Sequence, residues 1–196
     1  IITQFLKAIR PTVPMMKSEN MRLLLEETLG VMRQEIQNTN VEIQLECPAS
    51  VPDINVDRDQ MKQVIYNIVK NAVQATPGNG LLCITLSQSD QYLMIEFKDN
   101  GSGIDPADIG RIFEPYHTTK SNGTGLGLMI VQRIIQDHGG QIEVESKPNE
   151  GTAITLHLPL ANRRVRVLRQ SQDETIVKQF PLEMDAQDIP EKGEHI

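Results

Sequence analysis

The sequence has few cysteines, no long apolar run and no excess of positive charge. Its two cysteines, Cys47 and Cys83, belong to no CxxC pair, which excludes a disulfide scaffold and a zinc ribbon and is typical of a reducing compartment. The longest apolar run, residues 81–86, is far shorter than the roughly 20 residues that span a bilayer, and the chain opens with no signal-peptide pattern. A net charge of −7 argues against binding to nucleic acid through bulk charge, so we expect no nucleic-acid partner.

Hydrophobic residues make up 39% of the 196 residues, which suffices for a core and excludes intrinsic disorder of the whole chain. Residues 1–10 have a helical apolar spacing that starts mid-pattern at Ile1, so we expect residues 1–14 to be the end of a longer helix and its linker. Residues 15–160 carry regular patterns and predict one domain. Residues 161–196 begin with four arginines and become mostly acidic, which predicts a solvated tail or peripheral extension.

The regular patterns predict an α+β fold, a two-layer sandwich of a mixed sheet packed on helices. One helix begins at Ser18 or Asn20 and has apolar positions that include Leu23 and Val31. A second begins at Asp57 and carries a clean core stripe. The remaining predicted elements are a helix over 126–137 and strands over 41–46, 81–87, 92–98, 141–146 and 152–158.

The helix that begins at Asp57 has an unusual polar face. Asn67, Asn71 and Gln74 fall at i, i+4 and i+7, so their side chains project together. A single Asn on such a face is ordinary solvation, but two are odd because Asn is a mediocre helix former. Neutral carbonyl oxygens suit Mg²⁺, which takes oxygen ligands and often shares them with phosphates.

Two glycine-containing segments favour a nucleotide. Asp99 opens the turn DNGSGI, where a carboxylate can accept a hydrogen bond from an exocyclic amino group while glycines let the backbone approach a flat base. Adenine offers such an amino donor, whereas guanine presents an acceptor at that position of the ring. The segment Gly123 to Leu128 opens a helix, and the free N–H groups of a helix start bind anions. Neither the Rossmann spacing nor GxxxxGK[ST] occurs, so the two commonest nucleotide folds are disfavoured.

Five segments follow one another along the chain: NIVKNAVQA (67–75), DNGSGI (99–104), FEPYHTTK (113–120), GTGLGL (123–128) and EGTAITLHLP (150–159). In this order they resemble the motifs of the ATP-binding catalytic domain of sensor histidine kinases, the kinases of two-component systems. The TTK form of the third segment is similar to the nitrogen-regulation and sporulation kinases. The resemblance covers roughly residues 1–160.

The resemblance implies a Bergerat-type fold that binds ATP and Mg²⁺. It implies that Asn71 holds the metal, that Asn67 contacts the phosphates and that Asp99 binds the adenine amino group. Lys120 and the backbone amides of 123–127 cradle the triphosphate, which lies under a lid spanning about 116–124. The other implied nucleotide-binding residues are Lys70, Gly101, Gly103, Ile104, Thr119, Gly123, Thr124, Gly125, Leu126, Gly127 and Thr152, the last of which holds a water.

Two departures from the family pattern stand out. Many relatives carry a phosphate-binding Lys where Gln74 stands, so Lys120 or Lys70 would bear more of the charge here. None of the four histidines lies in the acidic helix that the family uses for its phospho-acceptor. The resemblance therefore places the acceptor upstream of Ile1 and makes residues 1–14 the remnant of a helix of the dimerisation and acceptor domain.

The function that follows is transfer of the ATP γ-phosphate to a histidine on that separate domain, for signalling to the receiver domain of a response regulator. Catalytic roles fall to Asn67, Asn71 and Lys120. We expect a cytoplasmic domain whose full-length protein reaches a membrane only through upstream segments. The alternatives are a nucleotide-sensing module without kinase activity and a protein-serine kinase or ATPase of the same fold; the latter two carry a Glu where Asn67 stands, to activate water.

Overall fold

The computed structural model describes residues 13–76, 78–118 and 123–160, and the backbone of residues 175–179. The helices are α1 (Met21–Gln37), α2 (Arg58–Ala75), α3 (Pro106–Ile109) and α4 (Gly127–Asp137). The strands are β1 (Lys17–Glu19), β2 (Val41–Glu46), β3 (Ile54–Val56), β4 (Gly80–Gln88), β5 (Tyr92–Asp99), β6 (Gln141–Lys147), β7 (Gly151–Pro159) and β8 (Thr175–Gln179).

The sheet is mixed, and it is covered by helices. Six strands lie in the order β2-β4-β5-β7-β6-β8, with parallel pairs at the two edges and antiparallel pairs in between, while β1 and β3 pair separately. Helix α2 contacts α1 and α4 and packs on strands β4, β5 and β7. The inward positions of the central strands, such as Ile84, Ile95 and Leu156, are buried against these helices. The predicted α+β sandwich is confirmed.

The two long helices begin where local capping predicts. Asn20 precedes α1 and its side chain accepts a hydrogen bond from the Leu23 N–H. Asp57 precedes α2 and its Oδ1 accepts from the N–H groups of Asp59 and Gln60. Each cap satisfies donors that the first helical turn leaves unpaired, so these starts are fixed by the sequence itself.

Apolar spacing is a poorer guide on α1. Leu23 and Val31 are 60% and 81% exposed and do not belong to the core. The buried stripe instead runs through Met21, Leu25 and Met32, because α1 is turned so that its buried face packs against α2. Exposed Leu and Val residues are common on protein surfaces, so apolar character alone did not identify the packed face.

Four elements lie outside the predicted set. Strands β1 and β3 have three residues each and helix α3 has four, too few to show a period. Strand β8 lies in the segment for which a tail or extension is expected, and it pairs parallel with β6. The predicted helical stretch 1–10 lies outside the described residues. In the part of the chain that the structure describes, no helix is long and apolar enough to span a bilayer.

Candidate functional site

A cavity of about 430 Å³ lies between α2, the ends of β5 and β7, and the loop that leads into α4. It brings together residues that are far apart in the chain, such as Asn67 and Thr152, which are 85 positions apart. The predicted site residues that line it are Asn67, Lys70, Asn71, Asp99, Gly103, Ile104, Gly123, Thr124, Gly125, Leu126, Gly127 and Thr152.

The polar face of α2 forms one wall of the cavity. Asn67, Asn71 and Gln74 all line it, and Lys70 lies beside them with its Nζ 5.6 Å from the centre of the Tyr66 ring. The Asn67 Nδ2 donates to the carbonyl oxygen of Gly127 at 3.4 Å, so this wall contacts the first turn of α4. The α2 helix therefore places the side-chain amides of Asn67 and Asn71 against the start of another helix.

The start of α4 suits an anion. Leu126 occupies the position before its first residue, and no side chain there accepts from the first N–H groups. A Cβ on Gly127 would lie 3.9 Å from the Nδ2 of Asn71, which shows how closely the two walls approach. Uncapped N–H groups and the positive end of the helix dipole together favour a phosphate at this end of the cavity.

Asp99 lies at the other end of the cavity and is 8% exposed. Its Oδ1 accepts hydrogen bonds from the Gly101 N–H at 2.9 Å and from the Thr152 N–H at 3.2 Å. The second contact follows from the sheet, because Asp99 and Thr152 are register partners on β5 and β7. Two backbone donors therefore hold the carboxylate in one orientation within the cavity wall.

The turn after β5 is clamped between α2 and the β6–β7 turn. The Ser102 N–H donates to the Ala75 carbonyl oxygen at 2.9 Å, and the Asn149 N–H donates to the Ser102 carbonyl oxygen at 2.8 Å. Gly103 has φ +65°, and a Cβ there would lie 2.0 Å from the Lys147 carbonyl oxygen, so only glycine fits. Gly101 does not line the cavity; its N–H instead holds Asp99.

Several residues at the cavity were not among the site residues predicted from the sequence. His117 and Asp108 face each other across the cavity wall with Nε2 and Oδ1 3.3 Å apart, and Tyr66 and Gln63 extend the α2 wall. Ser146 supports the cavity from behind, because its hydroxyl bonds both Thr152 and Ile104. A signal for Ser146 exists in the sequence, since it is a polar residue at an inward position of the alternating β6 pattern.

A backbone hydrogen bond joins the two ends of the segment that is predicted to be a lid. The Tyr116 N–H donates to the Gly125 carbonyl oxygen at 3.0 Å. Gly125 has φ +65°, and a Cβ there would lie 2.4 Å from the Tyr116 carbonyl carbon. Residues 119–122 lie outside the described residues, and with them the predicted phosphate-binding residues Thr119 and Lys120.

The chemistry of the donors fits Mg²⁺ that is shared with a ligand. Among the residues that the structure describes, no group of three or more His, Cys, Asp or Glu side chains could hold a metal ion. The amide oxygens of Asn67 and Asn71 are neutral hard ligands on one wall, beside the helix start that favours phosphate. A metal held there would take its remaining ligands from phosphate and water.

Comparison with known proteins agrees with this chemistry. Residues 56–162 match the family described as histidine kinase-, DNA gyrase B- and HSP90-like ATPases. Sporulation kinase E of Bacillus subtilis (strain 168) is 36% identical over 161 residues, which cover 82% of this chain and 22% of that protein. The signal transduction histidine-protein kinase AtoS of Escherichia coli (strain K12) is 40% identical over 161 residues, 82% of this chain and 26% of that protein. This chain therefore spans about a quarter of the length of these two curated relatives.

Solved structures share the fold. The nucleotide-free catalytic domain of histidine kinase ThkA superimposes with a TM-score of 0.68 at 32% identity, covering 74% of this chain and 95% of that one. Full-length ShkA in complex with AMPPNP gives 0.72 at 25% identity, over 82% and 34% of the two chains. ThkA in complex with the response regulator protein TrrA gives 0.70 at 26% identity, over 82% and 46%.

The subgroup that the TTK motif predicts is also found among the relatives, which include sporulation kinases E and D of Bacillus subtilis. Family match, relatives and fold all lead to the same assignment. The chain belongs to the family of histidine kinase-, DNA gyrase B- and HSP90-like ATPases, and within it to the ATP-binding catalytic domains of sensor histidine kinases.

Proposed function

We propose that this domain binds ATP with Mg²⁺ and transfers the γ-phosphoryl group to a histidine on an acceptor domain of the same longer protein. In this proposal residues 15–160 are the catalytic domain, residues 1–14 are the end of the dimerisation and acceptor helices, and residues 161–196 are an extension. Because the reaction consumes ATP, we place the domain in the cytoplasm. The receiver domain of a response regulator is the final acceptor.

The base and phosphate ends of the nucleotide have distinct partners in the proposal. The Asp99 carboxylate, held by two backbone donors, accepts a hydrogen bond from the adenine amino group. Gly103, Ile104 and Thr152 lie around the base. The uncapped start of α4 binds the phosphates together with Lys120 and Lys70. Asn71, supported by Asn67, would hold Mg²⁺, and a bound metal would neutralise part of the phosphate charge.

The presence of Asn at position 67 is the observation that favours phosphoryl transfer over ATP hydrolysis. Asn67 lines the cavity beside the start of α4, where ATPases of the same fold place a Glu to deprotonate water. An amide cannot take a proton, so water at this position stays a weak nucleophile. An imidazole needs no strong base, and its attack forms a P–N bond as the bond to the β-phosphate oxygen breaks. Positioning and charge neutralisation are then the domain's contributions.

Two structures support the ligands and partner of this proposal. ShkA was determined with AMPPNP, a nucleotide of the kind that the cavity would hold. ThkA, which shares the fold, was determined in complex with the response regulator protein TrrA. Both relate to this chain at similar levels of identity, 25% and 26%, and they are the reason for naming an adenine nucleotide and a receiver domain.

The test is phosphotransfer in two parts, with radiolabelled ATP and Mg²⁺. The domain alone should bind ATP, hydrolyse it slowly and remain unlabelled. With a separately produced acceptor domain from the same protein, it should label that domain with an acid-labile, alkali-stable phosphoramidate. Asn71→Ala should abolish labelling by removing a metal ligand.

Asn40→Ala is the matched control, because Asn40 lies in the turn before β2 and does not line the cavity. Labelling of the domain by itself, or steady hydrolysis near 1 s⁻¹, which is a rate of ordinary enzymes, would contradict the proposal. Tight ATP binding without transfer to the acceptor would instead identify a nucleotide-sensing module.

A further inference from the structure

Strand β6 would form one edge of the six-stranded sheet if β8 did not cover it. It pairs antiparallel with β7 on one side and, over Ile142 to Ser146, parallel with β8 on the other. Its seven residues run regularly, without proline, glycine or a bulge. An uncovered strand of this kind exposes a row of unpaired N–H and C=O groups, which is a template for another strand. The β6 edge therefore suits an extended partner, and the C-terminal segment supplies one.

The chain between β7 and β8 is much longer than the gap that it crosses. Ile142 on β6 pairs with Leu156 of β7 on one side and with Thr175 of β8 on the other, so β7 and β8 lie about 10 Å apart there. Fifteen residues, 160–174, connect the two strands. An extended chain of that length spans up to about 50 Å. The connection therefore does not force β8 onto the edge, and the pairing itself must hold it there.

The β6–β8 ladder has the features of a separable contact. It is parallel and five residues long, whereas β6 and β7 pair antiparallel over seven residues. Parallel pairing is slightly less stable per residue, and β8 is the end strand of the sheet in the part of the chain that the structure describes. Short end strands belong to the low-stability part of a fold, where local opening occurs without global unfolding. The β8 strand can therefore leave the edge while the rest of the domain stays folded.

The charges of β6 select what can pair with it. Glu143 and Glu145 lie on the opposite face of β6 from the buried Ile142 and Val144. The register sets residue 178, a lysine, opposite Glu145, and opposite charges at partnered positions of neighbouring strands are favourable. Two β6 strands from two copies, paired about Val144, would set glutamates opposite glutamates, which is unfavourable. The edge therefore favours a strand with a basic residue over a second copy of β6.

We propose that the β6 edge is a peptide-docking site and that residues 175–179 of the same chain are its occupant. The site takes an extended strand that runs parallel to β6, is rich in β-branched residues and carries a positive charge opposite Glu145. Thr175, Ile176 and Val177 are the β-branched residues of the occupant. A free peptide of the same sequence binds this edge when the chain's own segment has left it. The inference does not depend on the proposed function.

The first test measures binding of a fluorescent peptide of residues 171–183 to the full chain by fluorescence anisotropy. Ile176→Pro combined with Val177→Pro empties the edge, because successive N–H groups alternate between the two sides of a strand and one of these two faces β6. The peptide should bind the wild type at least about tenfold more weakly than this variant, since an edge occupied about nine-tenths of the time leaves a tenth available. Ala186→Pro combined with Gln187→Pro, outside the ladder, should behave as the wild type does.

The same assay can contradict the inference in three ways. Absence of binding to the proline variant overturns it, because the edge would then not be a docking site. Equal binding to the variant and to the wild type overturns it, because the peptide would then bind elsewhere. A peptide that carries the same two prolines should bind neither chain, and binding of that peptide would show a contact other than strand pairing.

A charge exchange tests the register. In the proline variant, Glu145→Lys should weaken binding of the peptide by roughly two- to fivefold, and the Lys178→Glu change in the peptide should cost a similar factor. Combining the two changes should recover most of the loss. Glu42→Lys, an exposed position on β2 at the other end of the sheet, is the matched control and should leave the affinity unchanged. A loss in Glu42→Lys with none in Glu145→Lys would place the peptide at the other edge and overturn the inference.

Hydrogen exchange tests the inference in the wild-type chain, so its result holds even if the proline variant fails to fold. Successive N–H groups of β6 point alternately to β7 and to β8. The groups that point to β8 should be protected, but should exchange at least about tenfold faster than those that point to β7. Equal protection of both sets would make β8 a permanent strand, and no protection toward β8 would leave the edge empty. Either result overturns the inference.

Discussion

His138 and Asp57 are 81 residues apart and are joined by a hydrogen bond in which the Asp57 N–H donates to the His138 Nε2 at 2.9 Å. The His138 Nδ1 lies 2.7 Å from the Ile134 carbonyl oxygen, so Nδ1 carries the proton and Nε2 is free to accept. His138 is 6% exposed. The bond links the end of α4 to the start of α2, the two helices that carry the phosphate end of the cavity.

Acid should therefore loosen this link. Burial lowers the pKa of His138 from its ordinary value of 6.5, more than its bond to the Ile134 carbonyl and the charges of Asp57 and Asp137 raise it. Because the pKa is lower in the folded chain, the contribution of neutral His138 to stability is complete above about pH 6.5 and is lost as pH falls through the folded value. Protonated Nε2 would also face the Asp57 N–H donor. We expect the free energy of unfolding, measured with urea, to fall between pH 7 and pH 5.

His138→Gln is the control for this titration. Its side-chain oxygen can accept from Asp57 but does not gain a proton in this range. The difference in unfolding free energy between wild type and variant should shrink or reverse on acidification, while contributions from the other titrating groups cancel. A difference that is constant from pH 7 to pH 5 would show that His138 does not titrate in the folded chain.

Replacing Asp99 by Asn should cost adenine affinity with little cost in stability. The Asn oxygen can still accept from Gly101 and Thr152, but its amide nitrogen meets the adenine amino group with a donor. Loss of a charged hydrogen bond costs about 1.5–3 kcal/mol, so ADP should bind at least about tenfold more weakly by calorimetry. Asp108→Asn, which changes another carboxylate on the cavity wall, should alter ADP affinity less than about threefold.

Positive charge at positions 70 and 74 of α2 should govern the affinity for the terminal phosphate of ATP. Gln74 is exposed at the cavity wall, and Lys70 is the lysine that lines it among the described residues. Gln74→Lys should tighten ATP binding by a few-fold, since the added charge is partly screened by water. Lys70→Gln should weaken ATP more than ADP. The check is the ratio of ATP to ADP affinities, with Lys17→Gln on β1 as a remote control; equal ratios in all variants would remove Lys70 from the phosphate site.

Gly125→Ala should disturb the base of the predicted lid. The backbone there has φ +65°, and the new Cβ would lie 2.4 Å from the Tyr116 carbonyl carbon, so the Tyr116–Gly125 bond could not persist unchanged. We expect a loss of about 1–3 kcal/mol in unfolding free energy and weaker ATP binding. Gly110→Ala has open space around its Cβ and ordinary φ, and should leave both measurements unchanged. Wild-type ATP affinity in Gly125→Ala would show that the bond is dispensable for binding.

The parts of the fold that the sequence predicts are those set by local chemistry. Asp57 marks the start of α2 because its cap bonds residues two and three positions ahead, and the core stripe of α2 repeats with the helix. Leu23 and Val31 show the limit, since only packing against α2 decides which side of α1 is buried. The predicted fold class is confirmed because hairpins and helices alternate plainly along the chain.

The candidate site divides in the same way. Asn67 and Asn71 could be found because they share one helix face, and the glycine loop because it precedes a helix. Ser146 could not be assigned a role, because its contact with Thr152 depends on the register of β6 and β7 and its contact with Ile104 on the clamped turn. The roles of the predicted site residues stay predictions until binding and transfer are measured.

The pairing of β5 with β7 has a consequence for how the domain can be taken apart. The ladder sets Asp99 opposite Thr152, so the base end of the cavity is assembled from two stretches of chain, as is the phosphate end from α2 and α4. A chain cut between Thr118 and Gly123 would leave Asn71 and Asp99 in one fragment and Thr152 with the glycine loop in the other. Nucleotide binding would then report reassembly of the two halves, and fusing each half to one member of an interacting pair would make ATP binding conditional on that interaction.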